Sequence, residues 1–167
     1  MKNKQSLYKW LYETYENDLF SYGIAFGISK ELLEDAIHDV FLHLYEREHK
    51  LWESQNMKFY LLNCLKNRIR TIKKKEMNTE FLEEGSDNYS FLIEVNGFEL
   101  IDEEKERAAM QKQLKKMLDS LTDRQREAVY LRYTQGLSYE EIGKLMGIQP
   151  KACLLYTSPS PRDLSTS

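Results

Sequence analysis

Leu121 to Ala152, LTDRQREAVYLRYTQGLSYEEIGKLMGIQPKA, reads as a helix, a turn and the opening of further helix. Thr122 stands as an N-cap, and Ala128, Val129, Leu131 and Tyr133 recur at helical spacing before Gln135-Gly136 supplies a stop. Ser138 then caps a second helix, with Glu141 three residues on completing a capping box, and Ile142, Leu145 and Met146 share one apolar face. Gly147 ends that helix. Ile148 follows as an apolar plug, Gln149 suits a new cap, and Pro150 sits where a first helical turn loses nothing by lacking an N–H. This is the pattern of a helix-turn-helix, and it points to DNA. A plain three-helix packing unit is the competing reading.

The charge distribution divides the chain more informatively than its net charge of −3. Residues 1–75 carry 13 Lys and Arg against 10 Asp and Glu, residues 76–106 carry 1 against 11, and residues 107–152 carry 9 against 5. Turn-like pieces such as Glu83-Glu84-Gly85-Ser86-Asp87-Asn88 and Val95-Asn96-Gly97 mark the acidic middle as a linker. Its Phe81, Leu82, Tyr89, Phe91, Leu92, Ile93 and Phe98 are too many for a purely solvated tether, so parts of it are expected to dock. The reading is an all-α chain of two small helical domains, residues 1–75 and 107–152, joined by the acidic linker 76–106, with residues 153–167 as a disordered tail. A composition of 31% charged and 41% hydrophobic residues suits a soluble globular protein, and the short apolar runs offer neither a membrane span nor a signal core. A cytoplasmic location follows as an expectation. Cys64 and Cys153 form no recognisable disulfide or metal pattern, and Cys64 lies in an apolar stripe.

Three helices are predicted in the first domain. Leu7, Trp10, Leu11, Tyr15, Leu19, Tyr22 and Phe26 line one face of a long helix that Gly27 ends. Ser29 opens the second, with Leu33, Ala36, Ile37, Val40, Phe41 and Leu44 inward and Glu34, Asp35, Asp39 and Glu46 outward. That negative side suits either plain solvation or docking to a basic partner. The third begins near Lys58, and from Leu61 to Lys75 it holds six cations, Lys66, Arg68, Arg70, Lys73, Lys74 and Lys75, and no acid. Such a stripe next to Trp52, Phe59 and Tyr60 combines phosphate attraction with aromatic surfaces for unstacked bases. The bland alternative is that cations near a helix C-terminus answer its dipole and that the aromatics are core.

EDAIHDVFLHLY, Glu34 to Tyr45, resembles the second helix of bacterial sigma factors of the extracytoplasmic-function group. FYLLNCLKNR, Phe59 to Arg68, resembles the helix that follows it in that group. Leu121 to Glu127 and Gly136 to Gly143 are similar to the group's second conserved domain. The resemblance implies that Asp35, His38 and Asp39 face the clamp of core RNA polymerase, with His38 standing where the family often has Gln. It places Asn56, Met57 and Lys58, at the end of the loop from Trp52, in a pocket for a base flipped out of the nontemplate strand, and Lys66, Asn67, Arg70 and Lys73 along the opening promoter DNA. Ser138, Tyr139, Gln149 and Lys151 are the matching helix-turn-helix positions at the upstream element. An anti-sigma factor is a further partner the resemblance implies. Promoter opening is binding chemistry, in which pocket contacts offset base unstacking and no covalent step occurs, so no enzymatic activity, cofactor or catalytic residue is expected.

The tail departs from the family's pattern. Residues 153–167 contain one cation, Arg162, beside Asp163, and Pro159 and Pro161 stop any helix. The run resembles a translated sequencing adaptor, so the natural sequence is expected to stop near Ala152 and the recognition helix to be incomplete; a native disordered tail is the alternative. His38, His43 and His49 are not spaced for one helix face and suggest no metal site. Two other functions fit the same residues: a stand-alone helix-turn-helix regulator, and a helical interaction protein without DNA binding.

Overall fold

The computed structural model describes residues 2–46, 56–77, 89–94 and 103–148. Among the described residues the regular structure is entirely helical, as expected. Helix α1 spans Lys2–Ile24, α2 Lys30–Glu46 and α3 Met57–Met77, and the three pack against one another. Gly27 takes φ +78°, a backbone setting that side chains with a Cβ resist, and so turns the chain out of α1. Ser29 Oγ then accepts a hydrogen bond from the Leu32 N–H at 3.3 Å, which starts α2. The predicted apolar stripe of α2 is buried whole, from Leu33 to Leu44, against Leu11, Leu19 and Tyr22 of α1 and Leu61, Leu62, Leu65 and Ile69 of α3.

α1 and α2 pack closely because Gly23 has no side chain. A Cβ there would lie 2.2 Å from Leu33 Cδ1 and 3.2 Å from its Cγ, with Leu33 fully buried. Gly23→Ala gains about 1 kcal/mol in helix propensity but forces overpacking worth about 1–3 kcal/mol. We expect a net loss of roughly 1 kcal/mol in urea denaturation; a more stable variant would show that the two helices are not seated as described.

The second module contains α4 (Glu104–Asp119), α5 (Asp123–Val129), a π-helical turn (Tyr130–Thr134) and α6 (Tyr139–Met146). Helix α4 was not apparent in the sequence pattern, because Leu118 is its one buried residue and Met110 and Met117 are exposed. The two capping boxes formed as read. Thr122 Oγ1 accepts from the Gln125 N–H at 3.2 Å while Gln125 Oε1 accepts from the Thr122 N–H at 2.9 Å. Ser138 and Glu141 repeat the exchange at 3.1 and 2.9 Å. Gly136 at φ +72° and Gly147 at φ +69° end their segments in the left-handed region. The π turn is marked by the Gln135 N–H donating to the Tyr130 carbonyl, five residues back.

The modules are not held apart. Part of the linker, Tyr89 to Glu94, lies between them, and Phe91 is buried among Tyr22, Phe26 and Tyr130, with ring centroids 5.9, 5.1 and 5.5 Å away. Docking of the linker's apolar residues was expected; one core continuous through both modules was not. Apolar side chains on both sides of the linker leave the closed packing with more buried surface than two separate modules would have.

Candidate nucleic-acid interface

A buried polar network joins the modules. The fully buried Glu127 carboxylate of α5 receives Lys66 of α3, whose Nζ lies 2.9 Å from Oε2 and 3.1 Å from Oε1. It also accepts hydrogen bonds from the Tyr22 and Tyr89 hydroxyls, so α1, α3, the linker and α5 converge on one side chain. Lys66 Nζ also sits 5.2 Å from the Tyr89 ring centroid. Nearby, Arg126 donates from Nε to the Phe91 carbonyl at 2.8 Å and from Nη1 to the Leu118 and Leu121 carbonyls at 3.0 and 2.8 Å. Its Nη2 lies 2.6 Å from Asp123 Oδ1, which accepts the Phe91 N–H at 2.9 Å. Arg126 thereby satisfies carbonyls in the last turn of α4 and just beyond it and pins the linker at the same time.

The network alters the expected DNA-facing set. Lys66 is not a free cation on a solvent face: it is buried and committed to Glu127, so in this arrangement it reaches no phosphate. Met57 is also buried, in the core of the first module, and cannot line a base pocket there. Lys58 is partly exposed and pairs with Asp18 at 3.8 Å; Asn56 is exposed, and its Oδ1 accepts the Lys58 N–H at 3.1 Å as a helix cap. Asn67 is exposed, Arg70 and Lys73 are half-buried, and Lys74 and Lys75 are exposed. Burial holds the Lys73 ammonium below the ordinary lysine value, with Glu76 opposing that shift.

Of the six α3 cations, Arg68 also has a cross-helix partner, since its Nη2 lies 3.0 Å from Asp39 Oδ2. Asp39 is consequently tied to α3, while Asp35 and His38 of the same patch are exposed. In the helix-turn-helix, Ser138 serves its capping box, and the Arg132 guanidinium lies 4.4 Å from the Tyr139 ring centroid. Gln149, Lys151, the loop from Trp52 to Gln55 and the tail 153–167 lie outside the described residues.

Residues 111–153 match the family model described as sigma-70, region 4. No curated protein matches the chain. The region 4 match takes in most of α4, both capping boxes and the turn between them, so the helix-turn-helix read from caps and glycines coincides with it. Region 4 is a helix-turn-helix domain of transcription factors and is not enzymatic. No described helix is long and apolar enough to cross a membrane.

The network also gives the fold a pH signature. Burial first, and the Glu127 carboxylate second, hold the Tyr22 hydroxyl well above the ordinary tyrosine value, and burial raises Tyr130 as well. The folded chain keeps these protons where the unfolded chain releases them, so the associated stability is complete below about pH 10 and lost as pH rises through the folded values. Lys66 and Lys73, both lowered chiefly by burial, act in the opposite sense, but they stand against four raised tyrosines, with Tyr8 and Tyr12 added. Denaturation at pH 8 and pH 10.5 should show a clear fall in stability; a flat profile would contradict the burial of Tyr22.

Proposed function

We propose that the chain is a sigma factor of the extracytoplasmic-function type, which binds core RNA polymerase in the cytoplasm and directs promoter recognition and strand opening. The observation that carries this reading is the helix-turn-helix within the region 4 match, joined in one chain to a helix whose outer end bears Arg70, Lys73, Lys74 and Lys75. In this reading residues 1–75 engage polymerase and melt the promoter, residues 107–152 read the upstream element, and residues 76–106 link them. Asp35, His38 and Asp39 form the polymerase surface; Asn56, Asn67, Arg70 and Lys73 meet the opening strands; Ser138, Tyr139, Gln149 and Lys151 meet the duplex. Lys66 joins them only if the modules separate, whereas Met57 stays packed within the first module. An anti-sigma factor is the natural competitor for the same surfaces.

Run-off transcription with purified core enzyme tests the proposal. The chain should co-purify with core enzyme and direct a discrete transcript, and reversal of Asp35 and Asp39 to lysine should abolish both. DNA binding without core enzyme and no transcript would favour a stand-alone regulator. Four phosphate contacts from Arg70, Lys73, Lys74 and Lys75 would give log K against log salt a slope of about −3 on single strands and about −3.5 on duplex. A slope near zero would remove these cations from the interface.

A further inference from the structure

Arg132 stands in the π-helical turn, at the join between the two helices of the helix-turn-helix, and the promoter reading does not use it. Its side chain reaches forward over the turn. Nη1 donates to the Leu137 carbonyl at 3.0 Å, and the guanidinium carbon lies 4.4 Å from the ring centroid of Tyr139, the first residue of α6. The turn beneath is fixed from inside: Leu137 is fully buried, its N–H donates to the Leu131 carbonyl at 3.0 Å, and Gln135 Nε2 donates to the Tyr130 hydroxyl at 2.9 Å. Arg132 and Tyr139 are both half-buried, so partial desolvation strengthens the attraction of the cation for the ring face. The Tyr139 hydroxyl makes no hydrogen bond to any described residue, whereas the neighbouring Ser138 Oγ already accepts the Glu141 N–H.

We propose that Arg132 is a positioning residue for duplex DNA: it holds the Tyr139 ring so that the Tyr139 hydroxyl donates to a backbone phosphate, and it touches no phosphate itself. The inference rests on the reading of the second module as a duplex binder and adds the residue that aims Tyr139. A guanidinium over the ring face and a bond to the Leu137 carbonyl engage Arg132, while the hydroxyl is uncommitted and able to donate. Phosphate oxygens are the commonest acceptors on DNA, and a tyrosine hydroxyl is one of the groups that binds them. A ring fixed before its partner arrives has little side-chain freedom left to lose on binding. Glu140 and Glu141 in the same turn repel an anion, and the guanidinium beside the ring counters their field.

Fluorescence anisotropy of the full chain, with a random-sequence duplex and a single-stranded oligonucleotide over a range of low salt concentrations, tests this. Arg132→Gln should weaken duplex binding about two- to fivefold, the equivalent of one cation–π contact. It should leave single-strand binding and the slope of log K against log salt unchanged. Tyr139→Phe keeps the ring and should weaken the duplex about two- to tenfold, the equivalent of one hydrogen bond. In the Tyr139→Phe background Arg132→Gln should bring no further loss of affinity, while thermal melting shows the same loss from Arg132→Gln in both backgrounds, because the ring persists. A residue that merely braces the turn would weaken duplex binding equally in both backgrounds, and that result would overturn the proposal. So would unchanged duplex affinity in Arg132→Gln, an equal loss on the single strand, or a salt slope shallower by about 0.9, which would put the guanidinium on a phosphate. If Arg132→Gln fails to fold, the affinity criteria are applied to Arg132→Lys, which keeps the charge without the planar face. A parent chain that binds no duplex removes the duplex-binding reading together with this inference; a parent that binds duplex while Arg132→Gln binds it equally well removes the inference alone.

Discussion

Replacing Glu127 with glutamine is expected to destabilise the chain by about 3–5 kcal/mol, lowering its melting temperature by roughly 6–20 °C for a chain of this size. The carboxylate is completely buried and serves Lys66, Tyr22 and Tyr89 together. The amide keeps one acceptor oxygen, but it cannot neutralise the ammonium and it presents an N–H₂ group where an acceptor is needed. An unpaired ammonium in a dry site either remains charged at a high desolvation cost or gives up its proton. Adding Lys66→Met to Glu127→Leu should recover the part due to the ammonium while leaving the two tyrosine hydroxyls without their acceptor. Guanidinium denaturation of the parent, Lys66→Met, Glu127→Leu and the double variant measures the coupling directly. Coupling below about 0.5 kcal/mol, together with a small effect of Glu127→Gln, would mean that the modules do not pack this way in solution.

Phe91→Ala is expected to have a comparable effect, about 3–5 kcal/mol, at a site in the linker where substitutions would ordinarily be tolerated. Its ring is fully buried between the modules, and its removal opens a cavity that Tyr22, Phe26 and Tyr130 are too constrained to fill. Backbone bonds to Asp123 and Arg126, and the Leu92 N–H to the Ala25 carbonyl at 2.9 Å, keep the segment in place, so the cavity persists instead of collapsing. Leu92→Ala, one residue along and 62% exposed, is the control and should change stability by less than about 0.5 kcal/mol. Thermal melting of both variants checks the contrast. Equal effects would show that Phe91 does not fill the junction.

The parts of the fold legible in the sequence are those specified by neighbouring residues. Thr122 with Gln125 and Ser138 with Glu141 each settle a helix start within three residues, and Gly136 and Gly147 settle the stops by backbone freedom alone. The inward stripe of α2 was equally readable, because one face of that helix is buried throughout. Helix α4 escaped notice for the opposite reason: with Leu118 alone buried, it carries little periodic signal, and its acidic start merges with the linker's charge.

The candidate site was legible only in part. Six α3 cations without a local acid read as one exposed stripe, yet the partner of Lys66 lies 61 residues away and that of Arg68 comes from α2. No role for Arg126 or Asp123 was legible in the sequence, because the linker backbone they bind is 35 and 32 residues away.

The capped helix starts, the glycine stops, the helix-turn-helix and the division of charge are therefore properties of the chain by itself, since caps, glycines and apolar periodicity act over one or two turns. Which cations face solvent, where the linker rests and whether the modules touch were decided by the tertiary structure alone. Burying Phe91 and pairing Lys66 with Glu127 depend on contacts between residues that only the folded backbone brings together.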